Sequence, residues 1–157
     1  MGFVKGMDVS MAKALEAHGA SYYLDGKQDD LFRILKKCGT DMIRLRIWPD
    51  PYDASGAPYG GGNNDLQTTV ELAQRAKSSG MEVLLDFQYS DFWADPAKQI
   101  KPKAWKSLTG KELEAAVYLH TRETLKYLKN RGIIPAMVQV GNEITNLSLI
   151  HISEPTR

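Results

Sequence analysis

One pattern recurs three times along the chain: an amphipathic helix, a glycine and a short apolar strand. The copies read DDLFRILKKCG then TDMIRLRIW, DLQTTVELAQRAKSSG then MEVLLDF, and TGKELEAAVYLHTRETLKYLKNRG then IIPAMVQVG. Each glycine (Gly39, Gly80 and Gly132) stands where a left-handed residue ends a helix. A further strand, over about residues 3–8, precedes the first copy. Strands that alternate with helices predict a parallel sheet with right-handed crossovers.

A closed barrel fits this pattern better than an open doubly wound sheet. No glycine-rich phosphate loop follows the first strand, and the long polar and aromatic loops all follow strands. Long loops at the carboxyl ends of the strands are where a (β/α)8 TIM barrel builds its active site, and such a barrel typically takes about 250 residues. The 157 residues supply four strands. We therefore predict an α/β chain, a TIM barrel truncated after its fourth strand.

Composition bears on partners and location. The net charge of +1 gives no sign of a nucleic-acid-binding surface, and no apolar run approaches the roughly 20 residues of a membrane span. The first ten residues lack the features of a signal peptide, so the protein is either cytoplasmic or its leader is missing from this sequence. Cys38 is the only cysteine, which excludes an intramolecular disulfide. Its place on an apolar helix face predicts a buried, inert thiol.

The loop after the second predicted strand begins RLRIWPDPYDASG, and Arg44, Arg46 and Trp48 share one strand parity. Two arginines that point into a barrel need carboxylate partners or a solvent-filled mouth. They could form a structural ion pair, or a guanidinium could keep a catalytic carboxylate ionised. The sequence leaves both interpretations open.

The loop after the third strand, DFQYSDFWADPAKQ, combines aromatic and polar side chains. Aromatic faces among groups that bond hydroxyls suit a sugar, since the ring stacks and the hydroxyls take hydrogen bonds. The alternative is a loop packed by its own aromatic residues. The candidate sugar-binding residues are Asp86 and Gln88, which share the inward parity, with Asp91, Trp93, Asp95 and Lys98 in the loop.

The fourth strand ends in VQVGNEI, where Gln139, Gly141 and Glu143 share one parity. This parity predicts that Glu143 enters the barrel mouth. A carboxyl at the end of a barrel strand is where a glycosidase general acid lies. An Asn-Glu pair alone does not identify a glycosidase.

Taken together, these segments resemble glycoside hydrolase family 53, the endo-β-1,4-galactanases. The matching stretches are GMDVS, RLRIWPDPYDASG, YGGGNNDL, LLDFQYSDFWADPAKQ, PKAW and MVQVGNEIT, in order from residue 6 to about residue 146. The resemblance implies a (β/α)8 barrel and retaining hydrolysis of β-1,4-galactan, the side chains of pectin. It also implies secretion in most members, while the localisation of this protein stays open.

The resemblance further implies roles for individual residues. Glu143 would be the general acid/base, Asn142 would hydrogen-bond the sugar 2-hydroxyl, and Arg44 would steady the nucleophile. Trp93 and the stretch Asp95, Pro96, Ala97 and Lys98 would form a wall of the galactan groove. The family usually has histidine where this chain has Gln88. Glutamine keeps a hydrogen-bond donor and an acceptor but cannot carry a proton.

The family's nucleophile is a second glutamate on the seventh strand, and a calcium found in bacterial members lies in a late loop. Both positions fall beyond these residues, so no cofactor is expected here. Retaining hydrolysis needs two carboxyls, which predicts that the chain alone is inactive. Galactan is the expected partner, with no nucleic acid, membrane or obligate protein partner. The alternatives are another β-glycanase of the same clan, or a non-catalytic galactan-binding chain.

The last residues, LSLIHISEPTR (147–157), do not continue the family pattern. They resemble a reading frame of an adapter used to prepare DNA libraries. We therefore expect residues 1–146 to be the N-terminal half of a glycosidase barrel and residues 147–157 to be an artefact that forms no domain. Reading the codons of 147–157 against the source genome tests this expectation.

Overall fold

The computed structural model describes residues 3–144. The predicted artefact at residues 147–157 lies outside the described residues and stays a prediction. The elements, in chain order, are β1 (Gly6–Asp8), α1 (Ala12–Ala17), β2 (Tyr22–Leu24), β3 (Lys27–Asp29), α2 (Leu31–Lys37), β4 (Met42–Ile47), α3 (Leu66–Ser78), β5 (Glu82–Phe87), a 3-10 turn (Lys103–Trp105), α4 (Gly110–Lys129) and β6 (Met137–Val140).

The main sheet is parallel throughout, with strand order β1-β4-β5-β6. Each neighbouring pair of strands is joined through a helix, which confirms the predicted strand–helix alternation. The sheet corresponds to the first four strands of a TIM barrel. In register, Asp8 lies beside Arg44, Arg46 beside Asp86, and Asp86 beside Gln139. This register brings the polar residues of four strands to one region of the inward face.

Three helices end in the same way, as the glycine pattern predicts. Gly39, Gly80 and Gly132 have φ angles of 85°, 72° and 72°. In each case the residue after the glycine donates its N–H to a carbonyl five positions earlier, as in Thr40 to Leu35 at 3.0 Å. This hydrogen bond defines the Schellman motif, which satisfies carbonyls at the end of a helix. The following strand therefore starts without a long loop.

The two faces of the sheet differ in polarity. Leu45, Ile47, Leu85 and Phe87 lie on the outward face and are fully buried in one apolar core with α2, α3 and α4. The inward face instead carries the charged side chains of β1, β4 and β5. A strand covered by helices needs apolar side chains on the covered face. The charged side chains of these strands consequently lie on the inward face.

Several features differ from the sequence prediction. β1 begins at Gly6 rather than at residue 3, and residues 10–30 hold the short helix α1 and the antiparallel hairpin β2–β3, which were not predicted. The prediction of a buried Cys38 is wrong, since its side chain is exposed. α2 ends at Lys37, so Cys38 is the C-cap and lies past the buried stripe of the helix.

The outer strands of the sheet are open. Among residues 3–144, β1 pairs with β4 alone and β6 with β5 alone. Apolar side chains on both strands are solvent-exposed, namely Met7 on β1 and Met137, Val138 and Val140 on β6. Val140 is 62% exposed, although it lies beside the fully buried Phe87. These edges therefore present unpaired backbone groups and apolar surface.

Candidate active site

Arg44 on β4 connects all four strands of the main sheet. Its Nη1 donates to Oδ2 of Asp8 at 2.5 Å, and its Nη2 donates to Oδ2 of Asp86 at 2.6 Å. The same Nη2 donates to Oδ1 of Asn142 at 3.0 Å, and Nε lies 3.4 Å from Oε1 of Gln139. Of the two environments that the sequence leaves open, carboxylate partners or a solvent-filled mouth, Arg44 has carboxylate partners. A guanidinium presents its donors in a rigid fork, so these contacts fix its orientation.

Asp86 is the most deeply buried member of this cluster, with 0% of its surface exposed. Burial raises the pKa of its carboxyl to about 6, although the positive charge of Arg44 and a hydrogen bond from Gln88 act in the opposite direction. Its Oδ1 has no partner among the described residues. The cluster places Asp86 against Arg44, and the predicted contact of Asp86 with sugar stays a prediction.

Asp8 and Arg46 complete the charged cluster. Oδ1 of Asp8 accepts the N–H of Ser10 at 3.0 Å and lies 3.9 Å from Nη2 of Arg46. Burial acts to raise the pKa of Asp8, but the hydrogen bonds from Ser10, the charge of Arg46 and the hydrogen bond from Arg44 outweigh it and lower that pKa. Burial lowers the pKa of Arg46, against the charge of Asp8. The cluster holds two carboxyls and two guanidinium groups.

Asn142 is held in one orientation by four hydrogen bonds. Its Oδ1 accepts from Arg44 and, at 3.1 Å, from Nε2 of Gln139. Its Nδ2 donates to the backbone carbonyl of Ala94 at 2.7 Å. The backbone carbonyl of Asn142 accepts from Nε2 of Gln99 at 2.8 Å. Because a side-chain amide has two N–H groups, one of them is left to donate outside this network.

Glu143 follows in the turn after β6. The strand ends at Val140, and Gly141 and Glu143 have φ angles of 88° and 52°. The parity argument therefore stops at Val140, because a left-handed residue changes the direction of every later side chain. A residue other than glycine in this conformation costs on the order of 1 kcal/mol, and such residues cluster at functional sites. The side chain of Glu143 is exposed at the carboxyl ends of the strands.

Gln88 lies under the loop that follows β5 and is almost fully buried. Its Oε1 accepts from Nε1 of Trp48 at 3.0 Å and from the N–H of Ala94 at 3.2 Å. Its Nε2 donates to Oδ2 of Asp86 at 3.2 Å. Each of these bonds uses the amide as a neutral donor and acceptor. Gln88 thus joins the charged cluster to the loop, and its predicted contact with sugar stays a prediction.

Trp93 lies at the surface of this loop with 38% of its area exposed. The guanidinium carbon of Arg46 is 4.0 Å from the centre of the Trp93 ring. The ring centroids of Trp48 and Trp93 are 5.7 Å apart in a T-shaped arrangement. A Cβ on Gly61 would lie 3.1 Å from Nε1 of Trp93, so glycine allows the loop to approach closely. The loop is partly packed by its own aromatic residues, yet part of the Trp93 ring stays accessible.

Asp91 joins two loops. Its Oδ1 accepts the N–H of Asp50 at 3.1 Å, and its Oδ2 accepts the N–H of Lys103 at 2.7 Å. Nζ of Lys103 lies 3.4 Å from the same Oδ2. Both carboxyl oxygens are therefore engaged within the protein. The predicted contact of Asp91 with sugar is not tested by this arrangement and stays a prediction.

The stretch from Asp95 to Lys98 forms a tight turn beside Asn142. Asp95 and Lys98 exchange two backbone hydrogen bonds, of 3.1 and 3.0 Å, and Oδ1 of Asp95 accepts the N–H of Ala97 at 2.8 Å. Pro96, Ala97 and Lys98 are exposed. Nε2 of Gln99 then bridges the carbonyls of Asp95 and Asn142. The turn is thereby fixed relative to the candidate acid.

Two residues that contribute to the candidate site were not recognised from the sequence, namely Asp8 and Gln99. Asp8 is the last residue of β1, and a charged residue at the carboxyl end of a barrel strand is a signal of a site. That signal could have identified it. Gln99 lies in a loop with no regular periodicity, and no pattern in the sequence indicates that it reaches Asn142.

Enzymes built on parallel barrels place their reactive groups at the carboxyl ends of the strands, where this cluster lies. The fold and the position of the cluster therefore define the class of α/β-barrel proteins with a site at this face. Within this class, the chain belongs to glycosyl hydrolase family 53, whose sequence profile matches residues 4–155. The match extends into residues 147–155, and the adapter origin of that segment is untested.

Two curated relatives carry galactanase names. An endo-beta-1,4-galactanase of Bacillus subtilis is 50% identical over 144 residues, which cover 91% of this chain and 34% of the relative. An arabinogalactan endo-beta-1,4-galactanase of Cellvibrio japonicus is 40% identical over 153 residues, which cover 97% of this chain and 39% of the relative. The chain thus spans little more than a third of the length of these relatives.

Solved structures show the same fold. The GH53 catalytic domain of Ignisphaera aggregans superposes with a TM-score of 0.87 at 51% identity, covering 90% of this chain and 40% of that one. A structure from a study of two fungal beta-1,4-galactanases gives a TM-score of 0.81 at 37% identity, with the same coverage. The prediction of a partial TIM barrel is confirmed.

Proposed function

We propose that the whole protein to which this chain belongs is an endo-acting, retaining hydrolase of β-1,4-galactan. The observation that carries the proposal is the Asn142-Glu143 pair after β6, with Asn142 held by Arg44 at 3.0 Å and Glu143 exposed beside it. Family membership and the names of the relatives support galactan as the substrate. The chain supplies the acid/base portion of the site.

Retaining hydrolysis proceeds by two displacements and uses two carboxyls about 5–5.5 Å apart. In our proposal Glu143 protonates the leaving oxygen in the first displacement. The second carboxyl attacks the anomeric carbon and forms a covalent glycosyl-enzyme. Glu143 then takes a proton from the water that releases the product. The family resemblance implies that the second carboxyl lies on a later strand, so residues 3–144 alone are not expected to complete either step.

Asn142 is proposed to bind the 2-hydroxyl of the sugar whose bond is broken. Its Oδ1 is already engaged by Arg44 and Gln139, and one N–H is engaged by the carbonyl of Ala94. The second N–H is the group proposed to donate to the hydroxyl oxygen. Hydrogen bonds to the 2-hydroxyl strengthen in the transition state of glycosidases, so this contact would contribute to the rate.

Trp93 and the turn from Asp95 to Lys98 are proposed to form one wall of the galactan groove. One face of the Trp93 ring packs on Arg46 at 4.0 Å. In our proposal the opposite face stacks on the apolar face of a galactose ring. Lys98, exposed at the end of the turn, and Asp95 beside it would bond hydroxyl groups.

The proposed partner is therefore a polysaccharide. Along the described residues, no helix combines the length and the apolar character that a membrane crossing requires. The net charge of +1 does not favour nucleic acid, and we propose no obligate protein partner. No cofactor enters the proposed mechanism, since both steps use carboxyl groups and water.

The experiment is a substrate panel on the whole protein. It is prepared from its gene or as a hybrid in which residues 4–144 replace the matching part of the B. subtilis relative. We expect cleavage of β-1,4-galactan to oligosaccharides that first appear as the β-anomer by proton NMR. Preference for a glucan, mannan or xylan would indicate another β-glycanase. Binding of galactan by residues 1–146 without cleavage by the whole protein would favour a binding role.

A further inference from the structure

We propose that Asp8 and Asp86 are positioning residues that act as a pair, holding the Arg44 guanidinium from two sides so that it fixes Asn142. We call the four side chains Asp8, Arg44, Asp86 and Asn142 the arginine clamp. The inference rests on the proposed function, because it concerns the rate at which Asn142 helps to cleave a glycosidic bond. It gives Asp8 a role, and it gives Asp86 a role other than contact with sugar.

The geometry of the arginine clamp carries the proposal. Asp8 accepts from Nη1 and Asp86 from Nη2, so the carboxylates restrain different nitrogens of one planar group. The nitrogen bound to Asp86 is also the one that donates to Asn142. With one carboxylate removed, the fork keeps a single anchor and can pivot about it. The position of Nη2 relative to Asn142 then changes.

Both carboxylates are engaged by groups of the protein itself. Asp86 is fully buried, and its Oδ2 is shared by Arg44 and Gln88. Asp8 is partly exposed, but its Oδ2 is bound by Arg44 and its Oδ1 by the N–H of Ser10. The side chain of Arg44 is 29% exposed, so it has room to swing away when an anchor is lost. The two acids therefore act through Arg44 rather than on the substrate.

The charges of the cluster support the same arrangement. Two carboxylates face two guanidinium groups, since Arg46 approaches Asp8 at 3.9 Å. Arg46 makes its closest aromatic contact with Trp93, at 4.0 Å, whereas Arg44 is the arginine that donates to Asn142 among the described residues. Of the two arginines, Arg44 is thus the one that can transmit a change at Asp8 or Asp86 to Asn142.

The test compares Asp8→Asn, Asp86→Asn and the double variant in the whole protein. The matched control is Asp25→Asn, which makes the same chemical change at an exposed turn with φ of 52°, a conformation that asparagine adopts readily. The substrates are an aryl β-1,4-galactobioside and its analogue that lacks the 2-hydroxyl on the ring next to the aryl group. The analogue cannot use the contact proposed for Asn142.

We expect Asp8→Asn and Asp86→Asn each to lower kcat at least tenfold on the hydroxylated substrate, with little change in KM. On the 2-deoxy analogue the loss should be threefold or less. The double variant should lose no more than the worse single variant, because residues that act as a unit are not additive. Equal losses on both substrates would indicate a structural role only and overturn the inference, as would unchanged rates.

A second measurement does not depend on activity. The side-chain amide signal of Asn142 in a proton–nitrogen NMR spectrum is assigned by its disappearance in Asn142→Asp. We expect this signal to shift in Asp8→Asn and Asp86→Asn and to stay in place in Asp25→Asn. An unmoved signal would overturn the positioning role even if the enzyme were inactive. If the wild type were inactive on galactan but the Asn142 signal shifted in Asp8→Asn and Asp86→Asn, the result would overturn the proposed function alone.

Discussion

Nη2 of Arg44 lies 3.0 Å from Oδ1 of Asn142, and this hydrogen bond joins β4 to the turn that follows β6. The two residues are 98 positions apart in the chain, so the bond forms only when the intervening strand and helices are in place. It also decides which atom of the Asn142 amide faces the cluster. The amide oxygen points to the guanidinium, and an N–H is consequently left for the sugar.

The first prediction concerns Glu143. In the whole protein, Glu143→Gln should lower the rate on galactan by roughly 10²–10⁴-fold, because the leaving oxygen then lacks a proton donor. An activated aryl galactoside should be affected less, since its leaving group needs little protonation. Azide should partly restore turnover of the activated substrate. Steady-state kinetics on both substrates measure this, with Glu112→Gln on the exposed face of α4 as the control. Equal losses without rescue would argue against the role.

The second prediction concerns Trp93. Trp93→Ala should weaken galactan binding by roughly 1–3 kcal/mol, because it removes the exposed part of an aromatic ring that stacks on sugar. The whole protein should stay folded, since the ring is more than a third exposed. Titration calorimetry with galacto-oligosaccharides and thermal unfolding measure the two effects. Tyr118→Ala, at an exposed position on α4, is the control. Normal binding by Trp93→Ala would mean that the ring only packs the loop.

The third prediction concerns Gln88. Gln88→His should leave the pH optimum of the whole protein unchanged, because Gln88 serves as a neutral donor and acceptor between Asp86, Trp48 and Ala94. A neutral imidazole offers one donor and one acceptor and can replace part of this role. The dependence of kcat/KM on pH is the measurement. A shift of one pH unit or more would mean that this position tunes a catalytic carboxyl.

The fourth prediction follows from the pKa of Asp86, which burial raises from 3.8 to about 6. The folded state therefore holds this proton more tightly than the unfolded state does. The stability contributed in this way is complete below about pH 4 and is lost as the pH rises through 6. We expect the free energy of unfolding of the wild type, minus that of Asp86→Asn, to fall by roughly 2–3 kcal/mol between pH 4 and 7.

Urea unfolding of the whole protein at several pH values checks this difference. Asp29, Asp30 and Glu71 have lowered pKa values and oppose the trend in acid, but they do not contact Asp86, are present in both proteins and cancel. A difference that is constant with pH would show that the raised pKa of Asp86 is not a property of the folded protein.

The fifth prediction concerns residues 1–146 expressed alone. The edges β1 and β6 present unpaired backbone groups and exposed apolar side chains such as Val140. Such edges promote pairing between chains. We expect aggregates, edge-to-edge dimers or a partly molten state, and no cleavage of galactan. Size exclusion, near-UV circular dichroism and a galactan assay test this. A monomer with a sharp unfolding transition would contradict the folding prediction, and measurable cleavage would contradict the need for the second carboxyl.

The local units of the fold could be predicted from the sequence because their signals are local. The spacing of apolar residues defines α2, α3 and α4, and Gly39, Gly80 and Gly132 define where each helix ends. Alternation along β4 and β5 separates Leu45 and Leu85 from Arg44 and Asp86. Residues 10–30 have no comparable periodicity, so α1 and the β2–β3 hairpin were missed. Their formation depends on packing against the rest of the chain.

The site could be predicted only in part. Strand parity brings Arg44 and Asp86 to the inward face, and the structure confirms this placement. The partners of Arg44 depend on the register between strands, which no short stretch of sequence specifies, and Asp8 was consequently not recognised. Parity also says nothing beyond Val140, because Gly141 and Glu143 leave the extended conformation. The direction of the Glu143 side chain therefore could not be derived from the alternation of side chains along the strand.

The arginine clamp also bears on how the sheet assembles. Parallel strands are joined by long crossovers, so no tight turn fixes how far one strand slides along the next. A slip of one residue in β1 or β5 would move Asp8 or Asp86 to the outward face, among the apolar side chains that contact the helices. It would also remove one of the two anchors of Arg44. Where the lost anchor is the fully buried Asp86, removing one member of a buried ion pair costs roughly 3–5 kcal/mol. The residues proposed to orient the substrate thus penalise misaligned strands during folding. A lineage that altered them to accept another sugar would also need a new means of aligning its sheet.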